Sequence, residues 1–221
     1  MSACLLGDDS HSPCFIKRIQ RGIAAVAGSF HGSFSLAWPP EAESVIIRPM
    51  KNLVLVGFMG SGKTDAGKLA AARLKMTFVD MDEIIERRHG QTISKIFETK
   101  GEAFFRRQER ALVRELAAKQ DHVIATGGGV VLDQNNLRDF SRTGIVICCW
   151  VDAKMAHERT KNTKHRPLLG GQTDRLARIE TLLHERESLY KAIANRVDTS
   201  AMSVDQQTDE ILRIYKHQAG L

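Results

Sequence analysis

The stretch GFMGSGKT, residues 57–64, follows directly after the apolar residues LVLV. It fits the pattern G-x-x-x-x-G-K-[ST] at every position, and it stands between a predicted strand and a predicted helix, as this pattern requires. The glycines let the backbone curl until successive N–H groups converge, and the N-terminus of the next helix adds positive potential. The sequence therefore predicts a phosphate-binding loop over residues 57–64 rather than a chance glycine turn.

Side chains at the end of this loop are expected to contact a nucleoside triphosphate. Lys63 can reach the β- and γ-phosphates, and Thr64 offers a hydroxyl to Mg²⁺, a hard ion that prefers oxygen ligands. Asp65 places a carboxylate in the first helical turn, where the charge of the phosphates would repel it. We expect the Asp65 side chain to point away from the nucleotide.

Two aspartates in FVDMDE follow the next predicted strand. Asp80 and Asp82 are two residues apart, so in extended geometry their side chains would share a face. One is expected to orient a magnesium-bound water and the other to meet a substrate hydroxyl. The alternative is that Asp82 only caps the helix that follows. Beside a phosphate-binding loop, the catalytic interpretation is favoured.

An anionic acceptor is suggested by the helix segment FFRRQE and by the glycines of TGGG. Arg106 and Glu109 are three residues apart and can pair, which would hold the guanidinium fork towards a carboxylate, whereas Arg107 falls on another face. The glycines at positions 127–129 would let the backbone approach a ligand closely. The alternatives are solvated surface charges and an ordinary tight turn.

The segment ERTKNTKHRPLLGG is basic and rich in turn-forming residues. We expect it to form a mobile lid that closes over the triphosphate and excludes water. Arg166 in this lid would stabilise charge on the phosphoryl group in transit. The alternative is an exposed basic loop. Arg186, in HERESLY, would by itself be read as a surface charge on a long helix.

The pattern from Lys51 onward alternates apolar strands with helices, which predicts an α/β fold with a parallel sheet covered on both faces. Residues 1–49 have no sustained periodicity and end near a Pro-Pro break. We expect a disordered extension over residues 1–49, with a targeting segment or a folded arm as alternatives, and a phosphate-loop domain over residues 50–221. Met50 also stands where a shorter chain could begin.

The composition limits the function classes. Of the 221 residues, 43% are hydrophobic, enough for a core, but no apolar run approaches the ~20 residues that span a bilayer. A net charge of +6 suits nucleic acid, anionic membranes or phosphorylated small molecules. Aromatic residues are only 6%, so stacking platforms for single-stranded nucleic acid are scarce. Four cysteines without zinc-site spacing predict reduced thiols.

Taken together, the motifs GFMGSGKT, FVDMDEIIERRHGQTISKIFETKGEAFFRRQE, VIATGGGVV, RPLL and HERESLY, in this order and spacing, resemble the shikimate kinases. The resemblance runs from about residue 51 to residue 199. It implies a P-loop kinase fold with a five-stranded parallel sheet and a mobile lid. It implies transfer of the ATP γ-phosphate to the 3-hydroxyl of shikimate, with Mg²⁺, in aromatic amino-acid biosynthesis.

The resemblance also implies roles for individual residues. The catalytic residues would be Asp82 as base, Lys63 and Arg166. The nucleotide would contact Gly60, Ser61, Gly62, Lys63, Thr64, Asp65, Arg159 beside the adenine, and Arg166. Shikimate would contact Asp82, Arg106, Gly127, Gly128, Gly129 and Arg186, the two arginines holding its carboxylate. The metal would be held by Thr64 and, through water, by Asp80.

Further expectations and alternatives remain at this stage. The partners are expected to be ATP and shikimate, with no nucleic acid and no membrane, and the chain is expected to be a cytoplasmic monomer. A plastid location is the alternative if the extension is a transit peptide. A second hypothesis replaces shikimate by a sugar acid such as gluconate. A third is a non-enzymatic nucleotide sensor or nucleic-acid-binding protein that uses the positive charge. Asp65 stands where the family commonly has a small hydroxyl residue.

Overall fold

The computed structural model describes residues 50–161 and 174–221 of the chain, which lie in one compact unit. The predicted extension over residues 1–49 lies outside the described residues. So does the segment 162–173, which contains Arg166 and most of the predicted lid.

Five parallel strands form the sheet of the described residues, in the order β2-β3-β1-β4-β5. The strands are β1 (Asn52–Val56), β2 (Thr77–Asp80), β3 (His122–Ala125), β4 (Gly144–Trp150) and β5 (Arg196–Asp198). All five residues of β1 are buried, because both faces of the sheet are covered. The prediction of a five-stranded parallel sheet is confirmed.

Helices connect the strands and cover both faces of the sheet. They are α1 (Lys63–Leu74), α2 (Met81–His89), α3 (Ile93–Ala117), α4 (Gln134–Thr143), α5 (Ala153–Thr160), α6 (Arg175–Lys191) and α7 (Val204–Ala219), with a 3₁₀ turn at Val130–Leu132. The sequence predicts helix caps at Asp133 and Ser203 and a helix stop at Gly90, and all three are confirmed. Asp133 and Ser203 accept hydrogen bonds from the first turns of α4 and α7, and Gly90 ends α2 with a φ of 62°.

Alternate residues of β1 enter two separate hydrophobic clusters. Val54 and Val56 pack on one side with residues of α3, α4 and α6. Leu53 and Leu55 pack on the other side with residues of α1 and α7. This central strand is therefore packed on both faces. The phosphate-binding loop follows its carboxyl end, at one edge of the sheet.

Two details differ from the sequence-based expectation. The pattern predicts a short helix over ISKIFETKG and a long one over EAFFRRQERALVRELAAK, but the two join into α3, which is interrupted only by the non-helical backbone of Gly101 at φ 77° and ψ 165°. Arg159 lies in the last turn of α5 and not in an irregular loop. This helix begins directly after Asp152, whose carboxylate caps it by accepting a hydrogen bond from the Met155 N–H.

Within the described residues, no helix has the length and apolar content needed to cross a membrane. Cys148 and Cys149 are buried, free thiols on β4. Burial raises the pKa of Cys148 to about 12 and that of Cys149 to about 11, so both stay protonated at neutral pH. Neither of these two cysteines forms a disulfide, and Cys4 and Cys14 lie outside the described residues.

Candidate active site

The phosphate-binding loop adopts backbone conformations that favour glycine. Gly57, Gly60 and Gly62 have φ values of 146°, 76° and 78°. A Cβ on Gly57 would also collide with the carbonyl oxygen of Cys149 on the neighbouring strand β4. Two independent constraints, backbone angle and close packing, therefore require glycine at this position.

Lys63 extends back along this loop. Its Nζ donates to the carbonyl oxygens of Gly57 at 2.9 Å and Phe58 at 2.8 Å, and lies 3.2 Å from the Ser61 hydroxyl oxygen. The residue is only 9% exposed, yet it lines a cavity at this edge of the sheet. The ammonium group is thus held in place by oxygens of the loop itself, beside the cavity.

Asp80 connects the loop to strand β2. The Thr64 hydroxyl donates to Asp80 Oδ2 at 2.9 Å. The other oxygen, Oδ1, accepts from the backbone N–H groups of Asp82 at 3.0 Å and Glu83 at 3.4 Å. Asp80 is therefore the N-cap of α2, and this capping fixes the orientation of its carboxylate towards Thr64.

This arrangement corrects two expectations about the aspartate pair. The extended geometry assumed for Asp80 and Asp82 is wrong, because α2 begins at Met81 directly after β2. The alternative that Asp82 caps the helix is also wrong, since Asp80 does so. The first helical turn nevertheless brings Asp82 to the same cavity that Asp80 lines. Its Oδ1 lies 2.7 Å from the position that a Cβ on Gly127 would take.

The donors around Thr64 fit a magnesium ion. Among the described residues, no group of three or more His, Cys, Asp or Glu side chains could hold a metal by itself. Thr64 Oγ1 and Asp80 Oδ2 are adjacent oxygen donors next to the phosphate-binding loop. Mg²⁺ is usually held in this way, by one or two protein oxygens together with substrate phosphates and water.

The cavity at this edge has a volume of about 580 Å³, within the ~300–1,000 Å³ range of small-molecule sites. Its lining comes from four regions: the phosphate-binding loop and α1, the β2–α2 junction, the end of β3, and α5 with the β5–α7 connection. The lining residues are Met59, Gly60, Gly62, Lys63, Thr64, Asp65, Asp80, Asp82, Thr126, Gly128, Arg159, Thr160, Met202, Ser203, Val204 and Gln207.

Arg159 joins two parts of the cavity wall. Its Nη1 donates to the Gly60 carbonyl at 3.2 Å, and its Nη2 donates to the carbonyls of Thr199 at 2.9 Å and Met202 at 3.3 Å. The guanidinium therefore connects the phosphate-binding loop to the segment between β5 and α7. It is exposed and lines the cavity together with Met202 and Val204.

A second group of side chains surrounds the glycines after β3. Arg106 Nη1 pairs with Glu109 Oε2 at 2.8 Å, and Arg106 Nη2 pairs with Glu102 at 2.9 Å. The guanidinium lies against Gly129 so closely that a Cβ there would overlap it. The expected pairing of Arg106 and Glu109 is confirmed. We call Arg106, Glu109 and Arg186 the acceptor cluster.

Glu109 is the most deeply buried member of this cluster, with 2% exposure. Burial raises the pKa of the Glu109 carboxyl, and the charges of Arg106 and Arg186 oppose that shift. Its Oε1 is buried and has no hydrogen-bond partner among the described residues, and it lies 3.2 Å from the position that a Cβ on Gly127 would take. Buried polar atoms nearly always have a hydrogen-bond partner, so this carboxylate oxygen marks a position where a further polar group is expected.

Arg186 and Tyr190 meet the carbonyl oxygen of Gly128. Arg186 is 5% exposed, and its Nη1 lies 3.4 Å from Gly128 O. The Tyr190 hydroxyl donates to the same oxygen at 2.7 Å, and burial raises the pKa of this hydroxyl, which keeps it protonated. Gly128 also lines the cavity, so it joins the acceptor cluster to the phosphate-binding loop.

Comparison with known proteins identifies the chain. The family model described as shikimate kinase matches residues 59–216. The chain belongs to the shikimate kinase family. A shikimate kinase from Pelotomaculum thermopropionicum is 44% identical over 167 residues, 76% of this chain and 96% of that protein. One from Aromatoleum aromaticum is 47% identical over 143 residues, 65% of this chain and 81% of that protein.

Solved structures of the shikimate kinase family are similar as well. The shikimate kinase from Acinetobacter baumannii in complex with shikimate gives a TM-score of 0.70 at 33% identity, covering 77% of this chain and 94% of that chain. The shikimate kinase from Aquifex aeolicus gives a TM-score of 0.64 at 33% identity, covering 77% of this chain and 99% of that chain. The resemblance inferred from the motifs is confirmed.

The shikimate kinase-like site residues divide into three groups. The cavity brings together Gly60, Gly62, Lys63, Thr64, Asp65, Asp80, Asp82, Gly128 and Arg159. Five other predicted residues do not line this cavity: Ser61 is buried in the loop, Arg106 lies against Gly129, Arg186 contacts Gly128, and Gly127 lies beside Asp82. Arg166 lies outside the described residues. Asp65 is exposed and belongs to the cavity wall, so its expected turn away from a nucleotide stays a prediction.

Two contacts of the shikimate kinase-like site were not anticipated from the sequence. Tyr190 stands four residues after Arg186, one helical turn further on, so the periodicity of α6 could have placed both on one face. Gln207 on α7 donates from Nε2 to the Ser61 carbonyl at 2.9 Å. The two residues are 146 positions apart, and no local pattern connects them.

Proposed function

We propose that this edge of the sheet is where the chain transfers the γ-phosphate of ATP to the 3-hydroxyl of shikimate, giving shikimate 3-phosphate and ADP. The chain is an ATP-dependent shikimate kinase, and the product belongs to aromatic amino-acid biosynthesis. One observation carries the assignment of the site. Gly128 lines the cavity at the phosphate-binding loop, and its carbonyl oxygen accepts hydrogen bonds from Arg186 and Tyr190 of α6.

The nucleotide half of the reaction uses the phosphate-binding loop. Backbone N–H groups of residues 60–64 and the start of α1 would hold the phosphates, with Lys63 against the β- and γ-phosphates. Arg159, with its donors committed to carbonyl oxygens, would present its planar face to the adenine beside Met202 and Val204. Arg166 would add positive charge at the transferring phosphoryl group.

Mg²⁺ would be held by Thr64 Oγ1 and, through water, by Asp80 Oδ2, together with the phosphates. When bound, this ion neutralises charge on the β- and γ-phosphates. Because capping of α2 fixes Asp80, the protein side of the metal site is already oriented before the nucleotide binds.

The acceptor half uses two arginines for the single carboxylate of shikimate. Arg106 and Arg186 are fixed through Glu109 and Gly128, so their forks lose little freedom on binding. The unsatisfied Oε1 of Glu109 would accept a hydrogen bond from the ligand at the glycine edge. Glycine at positions 127 and 129 leaves room for the protein's own side chains: a Cβ on Gly127 would lie 2.7 Å from Asp82 Oδ1, and one on Gly129 would overlap the Arg106 guanidinium.

Asp82 would act as the base. Its carboxylate takes the proton of the 3-hydroxyl as that oxygen attacks the γ-phosphorus, and the bond from the γ-phosphorus to the bridging oxygen of ADP breaks. Lys63 and Arg166 would stabilise the charge that spreads over the phosphoryl oxygens. Catalysis is then mainly positioning and charge neutralisation, as expected for phosphoryl transfer.

The proposal includes a cytoplasmic location and action as a monomer on ATP and shikimate, without nucleic acid or membrane. The relatives named above come from bacteria, which have no plastids, so the plastid alternative is left out. The basic residues Arg106, Arg159 and Arg186 are engaged at the site, which argues against a role in binding nucleic acid.

The function is tested by measuring ADP release from ATP and Mg²⁺ with shikimate, with gluconate and with no acceptor. We expect release to depend on shikimate and to stay at the background rate with gluconate. ADP release with gluconate but not with shikimate would favour the sugar-acid hypothesis. A background rate with every acceptor would reject the kinase activity.

Replacing Arg106 with lysine should raise KM for shikimate by about tenfold or more, because an ammonium cannot form the bidentate contact with a carboxylate. KM for ATP should change little, and kcat should fall less than kcat/KM. Steady-state kinetics with each substrate varied in turn provide the measurement. The matched control is Arg107→Lys, which alters the neighbouring exposed arginine over the Phe104 ring. Equal effects of both changes would contradict the assignment of Arg106.

Replacing Tyr190 with phenylalanine should raise KM for shikimate by about three- to tenfold, because loss of one hydrogen bond leaves the Gly128 peptide less firmly oriented. KM for ATP should stay within about twofold of the original value. Tyr215→Phe is the control, since Tyr215 also donates to a backbone carbonyl, that of Lys51, away from the site. Both variants should lose about 1 kcal/mol of unfolding free energy, but only Tyr190→Phe should alter KM.

A further inference from the structure

Gln207 contacts the phosphate-binding loop from α7 and, like Gly60 and Gly62, lines the cavity. It lies in the first turns of α7 and is 2% exposed. Its Nε2 donates to the Ser61 carbonyl at 2.9 Å, and its Oε1 is 2.5 Å from the position that a Cβ on Gly62 would take. The side-chain amide therefore packs directly against the peptide unit between Ser61 and Gly62.

The orientation of this peptide unit decides where the Gly62 N–H points. The described residues contain no cis peptide bond, so the C=O of Ser61 and the N–H of Gly62 point in opposite directions. When the carbonyl is held towards the Gln207 amide, the Gly62 N–H is directed away from that amide, and Gly62 itself lines the cavity. Backbone N–H groups of such a loop are the donors that hold nucleotide phosphates.

Another donor near the same carbonyl is the Thr199 hydroxyl, at 3.2 Å. This hydroxyl is closer to the Trp150 carbonyl, at 2.8 Å, and it has a single proton to donate. The Gln207 amide has two N–H groups and the shorter contact to Ser61. Gln207 is thus the principal donor that fixes the Ser61 carbonyl.

We propose that Gln207 is a positioning residue for phosphate binding: it fixes the Ser61–Gly62 peptide so that the Gly62 N–H faces the bound phosphates. The inference rests on the proposed nucleotide site, but it concerns phosphate affinity and not the choice of acceptor. Gln207 acts through the loop and belongs to no motif that the sequence pattern singled out.

The test compares binding of ADP and AMP to the full chain, by displacement of a fluorescent ADP analogue. Replacing Gln207 with methionine keeps an unbranched side chain of similar length and removes the donor. We expect the Kd for ADP to rise about five- to tenfold, the effect of one hydrogen bond to an ordered peptide. The Kd for AMP, which lacks the β-phosphate, should change less than about twofold.

The matched control is the neighbouring residue Gln206, an exposed glutamine that completes the capping box of α7 with Ser203. Gln206→Met should lower the melting temperature through loss of the cap and leave the Kd for ADP unchanged. A purely structural role for Gln207 would give the same pattern in both variants. If Gln207 positions the loop, Gln207→Met should lose more ADP affinity than Gln206→Met.

A second variant tests the hydrogen bond directly. Gln207→Glu keeps the shape but places a carboxylate without a donor against the Ser61 carbonyl. Relative to the original chain, its ADP affinity should be weakest at neutral pH and should recover as the pH falls towards about 5, where a protonated carboxyl can donate again. Gln207→Met should show no such recovery.

Several results would overturn the proposal. The first is an unchanged Kd for ADP in Gln207→Met. The second is an equal loss of affinity for ADP and AMP, which would indicate direct contact with the nucleoside. The third is a Gln207→Glu variant whose ADP affinity does not recover at low pH. If the Gln207 variants change ADP binding as expected but the original chain does not phosphorylate shikimate, the proposed function fails and the role of Gln207 stands. If it binds no ADP, both fail.

Discussion

Replacing Lys63 with methionine is expected to lower kcat/KM for ATP by about a thousandfold, the upper range for loss of one preorganised donor to a transition state. The ammonium is held in the loop by the Gly57 and Phe58 carbonyls, so it is already placed beside the cavity. The same group then meets the phosphates, in a buried environment where a charge acts strongly. The measurement is the shikimate-dependent rate of ADP release.

The control for this change is Lys68→Met on the same helix. Lys68 is exposed and lies over the Phe78 ring with 5.8 Å from its Nζ to the ring centroid, and it does not line the cavity. Its replacement should leave kcat/KM within about twofold, because an exposed charge contributes little. Retention of most activity in Lys63→Met would remove Lys63 from the phosphate-binding role.

Replacing Asp82 with asparagine is expected to lower kcat by about a thousandfold, within the ~10²–10⁴ range for general-base catalysis. The amide keeps the size of the side chain against Gly127 but cannot take the proton of the acceptor hydroxyl. KM for both substrates should change much less than kcat, because the lost interaction belongs to the transition state. Single-turnover measurement of product formation separates chemistry from product release.

Glu83→Gln provides the matched control, since Glu83 is an exposed carboxylate in the same first turn of α2. It should leave kcat unchanged. An Asp82→Asn variant with nearly full kcat would show that another group, or water, accepts the proton. Equal losses in the two variants would indicate damage to the start of α2 instead of loss of a base.

Local sequence rules predicted the fold well because the decisive signals are local. The buried strand LVLV followed by the glycine loop needs no distant contact to be recognised, and Ser203 with Gln206 forms a capping box within four residues. The pairing of Arg106 with Glu109, and not of Arg107, followed from helical spacing.

The remaining site features depend on where elements meet. Asp80 was expected to share an extended strand end with Asp82, but the helix starts at Met81, directly after Asp80, so Asp82 reaches the cavity from the first helical turn. The contacts of Tyr190 with Gly128 and of Gln207 with Ser61 join segments 62 and 146 positions apart. Only the packing of α6 and α7 on the sheet brings these groups together.

The central claim is that nucleotide and acceptor meet at one edge of the sheet, so that the γ-phosphate reaches a single ring hydroxyl. Phosphorus NMR of the product formed from ATP, Mg²⁺ and shikimate tests this directly. The account predicts one new phosphomonoester signal, coupled to the ring proton at carbon 3, in an amount equal to the ADP formed. A signal coupled to another ring proton, or inorganic phosphate in place of an ester, would contradict it.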